Sequence, residues 1–247
     1  MKYLLSGHGR ARLSALARSR VLVAFDYDGT LAPIASDPAR AFMRQSTRAL
    51  FQDLCRRYPC VVISGRARSD VAVHLSGIGV HAIAGNHGAE LPGIDAPPPR
   101  DVRRWCGSLV EALEGAPGVV VEEKRLSLAV HYRAAPDKAQ ARRAVLAAAR
   151  SLNAVRIVGG KDIVNVVPAD ARHKGLALEE LRRSEDCEQA LYVGDDETDE
   201  DVFKMRSERP FMTVRVGAKK SSFAEYYVKT QREVDRLMQG LIALRSF

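Results

Sequence analysis

The feature that most constrains the fold is a set of short apolar runs that alternate with helical patterns. Residues 21–25, 60–63 and 190–193 are nearly continuous apolar runs, without the polar alternation of a half-exposed strand. Such runs are typical of parallel strands buried on both faces, and the helical segments between them favour right-handed crossovers. The pattern predicts an α/β fold in which helices flank a Rossmann-like parallel sheet, with ligand-binding loops at the carboxyl ends of its strands.

The middle of the chain follows a different pattern. After Pro97-Pro98-Pro99 the sequence contains two consecutive helix–strand–strand units, which end near residue 168. That order predicts a small antiparallel sheet covered by two helices. We therefore expect a core formed by residues 1–95 and 169–247, interrupted by an inserted α+β cap domain at residues 96–168.

Composition and charge exclude several classes of protein. The 38 basic and 30 acidic residues give a net charge of +8, but the basic residues occur as dispersed pairs and aromatic residues make up only 6% of the chain. This distribution favours solvated helix faces over a nucleic-acid interface. The apolar runs are far shorter than the roughly 20 residues that span a bilayer, and the first residues lack the apolar region of a secretory signal. We predict a cytoplasmic protein that binds neither nucleic acid nor membrane.

Two carboxylates follow the first apolar run. Asp26 and Asp28 lie two residues apart just past the predicted strand, and Gly29 permits a turn there. The two side chains could share one metal ion or divide the roles of nucleophile and acid. The alternative is a simple turn with a helix-capping aspartate.

A dense acidic segment, residues 194–201, follows the run at residues 190–193. Its carboxylates repel one another unless a cation neutralises them, and all-oxygen ligation suits Mg²⁺. An acidic helix start, favoured by the helix dipole, is the alternative. That alternative explains the acidic residues at 199–201 but not Asp195 and Asp196 at the strand end.

Two further elements suit an anion. Ser64 follows the second apolar run, and Lys174 lies just inside a predicted helix start, after His173. A phosphoryl group needs hydroxyl and backbone N–H donors together with a fixed cation, because its oxygens stay negative throughout transfer. Taken alone, Lys174 is more typical of a surface lysine, and only its combination with the other motifs indicates a phosphate site.

Together these motifs resemble the haloacid dehalogenase superfamily of phosphotransferases. The four motifs, in order, are Asp26-Tyr27-Asp28-Gly29-Thr30-Leu31, Ser64-Gly65-Arg66, Lys174, and Gly194-Asp195-Asp196-Glu197-Thr198-Asp199. More narrowly, the chain is similar to the trehalose-6-phosphate phosphatase family. That similarity is carried by residues 26–34, 85–90 and 122–133, by Gly160-Lys161 with Val167-Pro168, and by residues 194–203. One departure is Asn165, where the family usually carries Glu; an amide can donate as well as accept but has no charge.

The resemblance implies a haloacid dehalogenase core with an inserted cap. It also implies Mg²⁺-dependent hydrolysis of trehalose 6-phosphate through an aspartyl-phosphate. Asp26 would attack phosphorus, and Asp28 would protonate the departing sugar oxygen and then take a proton from water in the second step.

The resemblance further implies which residues form the phosphate and metal sites. Ser64 and Lys174 would bind the phosphoryl oxygens. Mg²⁺ would be held by Asp26, the backbone carbonyl of Asp28, and Asp195. Two further aspartates would orient Lys174 and metal-bound waters, so the predicted metal site comprises Asp26, Asp28, Asp195, Asp196 and Asp199.

The sugar would meet core loops and a hairpin of the cap. Lys124, Ser127 and His131 are spaced along that predicted hairpin, so polar side chains there could form a surface over the core site; a structural role for a lone strand histidine is the alternative. The expected partner is a small sugar phosphate, and we expect a monomer. The predicted substrate-binding residues are Gly65, Arg66, Asn86, His87, Glu123, Lys124, Ser127, His131, Arg133 and Asn165.

Other functions stay open from the sequence. Within the superfamily they are a phosphatase for another sugar phosphate, such as sucrose phosphate or a glucosylglycerate-type substrate, and a hexose phosphomutase. From a different class, an inactive phosphatase fold could sense sugar phosphates without catalysis. Every motif position expected to do chemistry is filled, which argues against that last function.

Overall fold

The computed structural model describes residues 1–35, 40–93, 101–124, 126–160 and 162–245. It divides into two compact units, one formed by Met1–Ile94 with His173–Phe247 and the other by Asp95–Arg172. The predicted boundary at residues 95 and 96, with its proline run, lies outside the described residues. The bounds of the predicted core and cap domains therefore stay a prediction.

The helices and strands of the described residues alternate through most of the chain. In order they are β1 (Lys2–Tyr3), α1 (Gly7–Ala17), β2 (Val21–Phe25), α2 (Gln45–Cys55), β3 (Cys60–Ile63), α3 (Arg68–His74), β4 (Ala82–Ala84), α4 (Val102–Ala112), β5 (Val120–Glu123), β6 (Leu128–His131), α5 (Lys138–Arg150), β7 (Val155–Gly160), β8 (Ile163–Pro168), α6 (Lys174–Ser184), β9 (Gln189–Gly194), α7 (Glu200–Met205), β10 (Phe211–Val216), β11 (Tyr226–Val228) and α8 (Arg232–Leu244).

The larger unit is built on a parallel sheet of seven strands, in the order β1-β11-β10-β9-β2-β3-β4. Every residue of β2 and β3 is buried. Alternate residues of β2 belong to two apolar clusters: Val21, Val23 and Phe25 cluster with residues of α1, α2 and α8, whereas Leu22 and Ala24 cluster with residues of α6 and α7. Helices therefore cover both faces of this sheet, which explains the continuous apolar runs.

Three neighbouring strands of this sheet, β9, β2 and β3, end close together. Phe25 at the end of β2 is paired with Val62 of β3 and with Val193 of β9. Because the strands are parallel, the residues that follow them lie at one edge of the sheet. The polar motifs at Asp26, Ser64 and Asp195 begin at this edge.

The smaller unit contains an antiparallel sheet in the order β5-β6-β8-β7. Leu128, Val130, Val164 and Val166 alternate along β6 and β8, and they form one apolar cluster with side chains of α4 and α5, including Trp105. Both helices thus pack on one face of the sheet. The predicted fold class is confirmed: a parallel sheet flanked by helices, together with a separate antiparallel sheet.

Three details differ from the sequence prediction. The segment 1–20 contains α1 and the edge strand β1, and β11 lies between β1 and β10; both strands have three residues or fewer, too short for a sequence period to reveal. The segment 81–91, which the sequence pattern predicts as a further strand region, is a strand only over β4. It then turns at Asn86 and His87, whose φ angles of 45° and 57° are left-handed. Within the described ranges, no helix has the length and apolar character to cross a membrane.

Candidate active site

Strand β2 delivers Asp26 to the edge of the sheet. The Asp26 amide donates a hydrogen bond to the Val193 carbonyl oxygen (2.8 Å), so this residue still follows the pairing with β9. Its carboxyl group is buried. Burial raises the pKa of Asp26 well above its usual value; the charge of Lys174 opposes the rise, and the carboxylates of Asp199 and Asp195 add to it.

A glycine brings the first loop against the acidic loop. Gly29 has a φ of +82°, a left-handed conformation that favours glycine. A Cβ at this position would lie 2.2 Å from Asp195 Oδ2, closer than any side chain tolerates. Only glycine therefore allows the Asp195 carboxyl group to sit directly against the turn after Asp26 and Asp28.

Lys174 is the first residue of α6, where the His173 ring caps the helix by accepting a hydrogen bond from the Gly175 amide (3.2 Å). The Lys174 side chain is buried, and its Nζ donates to Asp26 Oδ1 (2.9 Å) and Asp199 Oδ1 (2.8 Å). Burial by itself would lower the pKa of Lys174, but the carboxylates of Asp199 and Asp26 outweigh it and hold this pKa well above its usual value. Lys174 is therefore a fixed buried cation and not a surface lysine.

Asp199 is the best-connected carboxylate of the site. Its Oδ1 accepts hydrogen bonds from Lys174 Nζ (2.8 Å) and the Tyr192 hydroxyl (2.7 Å), and its Oδ2 accepts from the amides of Asp195 (2.7 Å) and Asp196 (3.0 Å). These four donors match the roughly four lone-pair sites of a carboxylate. Gly194 makes room, because a Cβ there would lie 2.3 Å from Asp199 Cγ. Asp199 thus orients its neighbours, and each of its two oxygens already accepts two hydrogen bonds.

Three carboxylates converge on a position that suits a cation. One ligand oxygen each from Asp26, Asp195 and Asp199 lies within 4.8 Å of the others. Burial, together with the charges of Asp199 and Asp196, raises the pKa of Asp195 to about 8. Crowded, buried oxygen donors that hold their protons this tightly fit Mg²⁺, which would replace those protons.

The predicted metal residues therefore divide by geometry. Asp26, Asp195 and Asp199 each offer a carboxylate oxygen at the cluster, and Asp199 also accepts hydrogen bonds from four donors. Asp196 Oδ1 accepts from the Thr198 amide (2.7 Å) and hydroxyl (2.6 Å), and it closes the acidic loop. Its carboxylate is not among the three that converge within the described part of the chain.

The Asp28 carboxylate forms a two-pronged ion pair with Arg66. Arg66 Nε donates to Asp28 Oδ2 (2.6 Å), and Nη2 donates to Asp28 Oδ1 (2.8 Å). Burial opposes the charge of Arg66, but its hydrogen bonds and ion pair with Asp28 raise the pKa of the guanidinium. The carboxylate of Asp28 is therefore held by Arg66, and the atom of Asp28 that is predicted to hold the metal is its backbone carbonyl oxygen.

The loop at residues 85–88 supports the loop that carries Ser64. Ser64 is buried; its Oγ accepts from the Arg66 amide (3.2 Å), and its carbonyl accepts from the His87 amide (2.9 Å). The Asn86 amide donates to the Arg66 carbonyl (2.7 Å), and Asn86 Nδ2 donates to Glu90 Oε1 (2.8 Å). Asn86 and His87, predicted to bind substrate, thus hold two loops together. Gly65 lies directly against the His87 ring, because a Cβ atom added at residue 65 would be 2.5 Å from Cε1 of that ring.

The antiparallel sheet of the smaller unit carries two neighbouring glutamates on opposite faces. Glu122 is paired with Ala129 across β5 and β6, and its Oε2 lies 2.7 Å from His131 Nε2, on the face opposite the two helices. Glu123 is paired with Leu128 of the apolar cluster and lies on the helical face, 4.0 Å from Arg103. Glu123 and His131, both predicted to bind substrate, therefore lie on opposite faces of this sheet, and Glu122 shares the face of His131, because side chains alternate along a strand.

The other predicted cap residues lie around β6. Asn165 is paired with Ala129, so it shares the face of His131, and it is buried. Ser127 is buried as well, and its carbonyl accepts from the Lys124 amide (2.9 Å) to close the turn between β5 and β6. Arg133 is exposed just after β6. Lys161, part of the family resemblance, lies outside the described residues.

Two residues of the site escaped the sequence analysis. Tyr192 lies inside the apolar run of β9, yet its buried hydroxyl donates to Asp199. Arg215 lies in β10, where its Nη1 donates to the Asp196 carbonyl (2.9 Å) and to Glu200 Oε1 (3.1 Å), and its Nη2 donates to the Asp195 carbonyl. A signal existed in both cases, because a buried tyrosine hydroxyl or a lone arginine in an apolar strand needs a polar partner.

The chain is similar in sequence to a family model and to curated proteins. The model of the trehalose-phosphatase family matches residues 24–233. Trehalose-phosphate phosphatase of Mycolicibacterium paratuberculosis is 36% identical over 246 residues, 94% of this chain and 60% of that protein. Probable trehalose-phosphate phosphatase 4 of Oryza sativa is 31% identical over 216 residues, 80% of this chain and 59% of that protein.

A solved structure has the same fold. The C-terminal domain of C. albicans trehalose-6-phosphate phosphatase superimposes with a TM-score of 0.78 at 24% identity, covering 95% of this chain and 96% of that one. The two curated relatives are longer proteins, of which this chain spans 59% and 60% of the length.

Proposed function

The chain belongs to the trehalose-phosphatase family, and from this membership we propose that it is a phosphatase that hydrolyses trehalose 6-phosphate to trehalose and phosphate. The observation that carries the proposal is the contact of Lys174 Nζ with Asp26 Oδ1 at 2.9 Å, beside the Asp195 carboxyl group. A buried cation fixed against a buried carboxylate at a strand end suits a nucleophile that must meet an anionic phosphate.

The first step transfers the phosphoryl group to the protein. An oxygen of Asp26 attacks phosphorus while the bond from phosphorus to the sugar oxygen breaks in line. Asp28 gives its proton to that departing oxygen, so trehalose leaves as a neutral alcohol. Lys174 and the Ser64 hydroxyl bind the phosphoryl oxygens, which keep their negative charge throughout the step.

The second step hydrolyses the aspartyl-phosphate. Asp28, now ionised, takes a proton from water as that water attacks phosphorus. The bond from phosphorus to the Asp26 oxygen breaks, inorganic phosphate leaves, and the Asp26 carboxylate and the Asp28 proton are both restored. Arg66 holds the Asp28 carboxyl group through two hydrogen bonds, of 2.6 and 2.8 Å.

Asp26, Asp195 and the backbone carbonyl of Asp28 would hold Mg²⁺. The bound ion would offset the repulsion between the anionic nucleophile and the anionic phosphate. Arg215 supports the acidic loop by donating to the carbonyls of Asp195 and Asp196. Asp199 fixes Lys174 from the other side.

The cap unit supplies selectivity in this proposal. The face of its sheet that carries Glu122, His131 and Asn165 holds hydrogen-bonding groups suited to sugar hydroxyls. Binding energy from hydroxyls remote from phosphorus would orient the phosphate at the core site. Asn165 would do so as a neutral donor and acceptor where the family usually carries a charged side chain.

Phosphate release from a panel of sugar phosphates tests the proposal. Trehalose 6-phosphate, sucrose phosphate and glucose 6-phosphate are each assayed after EDTA treatment, with and without added Mg²⁺, and Asp26→Asn serves as the inactive control. We expect the highest kcat/KM for trehalose 6-phosphate, only with Mg²⁺. A preference for another sugar phosphate would assign the chain to a different substrate. Binding of sugar phosphates without any phosphate release would favour a sensor.

A further inference from the structure

One buried titratable residue near the site has no part in the mechanism above. His74 is the last residue of α3, and only 3% of its side chain is exposed. Its ring lies between the aromatic rings of Tyr27 and Phe42, at centroid distances of 5.4 and 4.9 Å. Its Nε2 lies 3.2 Å from Nη1 of Arg66, the residue that holds Asp28.

The contact with Arg66 determines which nitrogen of His74 carries the proton. A guanidinium N–H is always a donor, so Nε2 must accept, and the proton of the neutral ring resides on Nδ1. Nδ1 is buried and makes no hydrogen bond within the described residues. An unpaired buried donor destabilises a fold. Phenylalanine would pack between the same two rings without that unpaired group, so packing alone does not account for histidine here.

The contact also belongs to a set of acceptors that surround the Arg66 guanidinium. Asp28 accepts from Nε and Nη2, while Asp70 Oδ2 accepts from Nη1 at 2.9 Å, next to His74. The Arg66 side chain is 10% exposed, and its plane is fixed by these acceptors on opposite sides. Asp70 and His74 of α3 therefore hold the Arg66 guanidinium at Nη1, and this guanidinium in turn sets the direction of the Asp28 carboxylate.

We propose that His74 is a positioning residue for the phosphatase reaction: by accepting a hydrogen bond from Arg66, it holds the guanidinium that aims the Asp28 carboxyl group at the leaving oxygen. The inference rests on the proposed function, because it concerns the step in which Asp28 acts as acid. It adds a residue that touches neither the substrate nor the reacting atoms. His74 acts only through Arg66.

The reaction itself offers a readout that separates this role from a structural one. Trehalose is a poor leaving group and needs the proton of Asp28, whereas p-nitrophenolate leaves without one. The value of kcat/KM reports the steps up to the phosphoenzyme, so the later hydrolysis, which both substrates share, does not enter it. If the Asp28 carboxyl group is no longer held in position, kcat/KM for trehalose 6-phosphate should therefore fall, whereas kcat/KM for p-nitrophenyl phosphate should stay nearly unchanged.

The test compares three variants of the full chain with both substrates. For His74→Phe we expect kcat/KM for trehalose 6-phosphate to fall on the order of 10-fold, the effect of one lost hydrogen bond, while p-nitrophenyl phosphate changes less than about threefold. Thermal stability should stay equal or rise, because the unpaired Nδ1 is gone. His74→Gln, whose amide oxygen can accept from Arg66, should restore most of the lost activity. Phe42→Leu, which alters the other side of the same ring stack, should keep the ratio of the two substrates.

Several outcomes would overturn the inference. A parallel loss with both substrates, or an unchanged ratio in His74→Phe, would assign His74 to packing. Should His74→Phe fail to fold, His74→Leu, which also removes the acceptor for Arg66, carries the test, and an unchanged substrate ratio in that variant would reject the role. Failure of the proposed function is seen separately, in the wild-type protein, as an absence of phosphate release from trehalose 6-phosphate.

Discussion

Lys174 Nζ lies 2.8 Å from Asp199 Oδ1, and neither side chain reaches solvent. The same ammonium group donates to Asp26 Oδ1. One buried cation thus faces two buried carboxylates, with the Asp195 carboxyl group next to them. This local excess of negative charge is what a divalent cation would neutralise, and it links the stability of the core to the chemistry of the site.

Removing the ammonium group should destabilise the fold as well as abolish activity. Lys174→Met leaves Asp26 and Asp199 buried without their cation, so we expect the free energy of unfolding to fall by about 3 to 5 kcal/mol. Urea denaturation measures this loss. Lys220→Met, a change at an exposed lysine, is the control and should have little effect. A loss as small as that of the control would show that the buried charges are screened in some other way.

The hydroxyl group of Tyr192 should affect activity more than its small contribution to the free energy of unfolding suggests. Tyr192→Phe removes the donor to Asp199 Oδ1 (2.7 Å), so Asp199 and Lys174 lose part of their fixed geometry. We expect a stability loss of about 1.5 kcal/mol and a several-fold fall in kcat. Tyr58→Phe is the matched control: its buried hydroxyl donates to the Leu241 carbonyl (2.9 Å), far along the chain from the site motifs. It should lose similar stability in urea titrations but keep kcat; equal kcat losses would contradict a role of Tyr192 in the site.

The raised pKa of Asp195 predicts how pH affects the metal-free protein. Burial and the neighbouring carboxylates move this pKa from 3.8 to about 8. The folded state then keeps a proton that the unfolded chain has lost, so the contribution of Asp195 to stability is present at low pH and is lost as pH rises towards about 8. Unfolding by urea at several pH values in EDTA should show this decline.

Binding of Mg²⁺ should release the same proton. At pH 7 most Asp195 side chains are protonated in the metal-free protein, and a ligand carboxylate must ionise. Calorimetric titrations in two buffers with different ionisation enthalpies should therefore show release of protons on Mg²⁺ binding, and tighter binding as pH rises to about 8. Asp195→Asn should reduce the number of protons released, and any remaining release would come from Asp26, whose pKa is raised as well. Binding of Mg²⁺ to the wild type with no dependence on the buffer would contradict this assignment.

The sequence predicted those parts of the molecule that depend on local patterns. Apolar runs such as β2 revealed buried strands, because a strand covered on both faces has no polar positions. Polar residues at the ends of such strands, Asp26 and Ser64 among them, were placed at one edge of the sheet by the parallel topology alone. Lys174 was identified only through its combination with other motifs, and it proved to be buried against Asp26.

The parts that were missed depend on tertiary contacts. The strand β11 has three residues and is defined by its pairing with β10, which no local pattern records. Asp199 was predicted near a metal, and that prediction stands; what the sequence could not reveal is that four donors from three segments meet at its carboxylate, because those donors come together only in the fold. The choice between Glu122 and Glu123 depended on strand register, and a shift of one residue exchanges the two faces.

That one-residue difference gives a matched pair for testing whether the antiparallel sheet of the smaller unit selects the substrate. Glu122 lies 2.7 Å from His131 on the polar face, while Glu123 lies on the helical face near Arg103. If the polar face binds the sugar, His131→Ala should lower kcat/KM for trehalose 6-phosphate by about 10- to 150-fold, the equivalent of one charged hydrogen bond. Glu122→Gln should produce a smaller loss in the same direction, because it weakens the hold on the His131 ring.

Glu123→Gln removes the same charge one position along the same strand and should leave kcat/KM nearly unchanged. A small aryl phosphate has no sugar for the cap to bind, so all three variants should hydrolyse it almost as the wild type does. Lys174→Ala should instead impair both substrates alike, since it acts on the phosphoryl group that they share. Equal effects of the two glutamate variants, or parallel losses with both substrates in the His131 variant, would mean that the polar face of the cap sheet stabilises the fold and does not select the sugar.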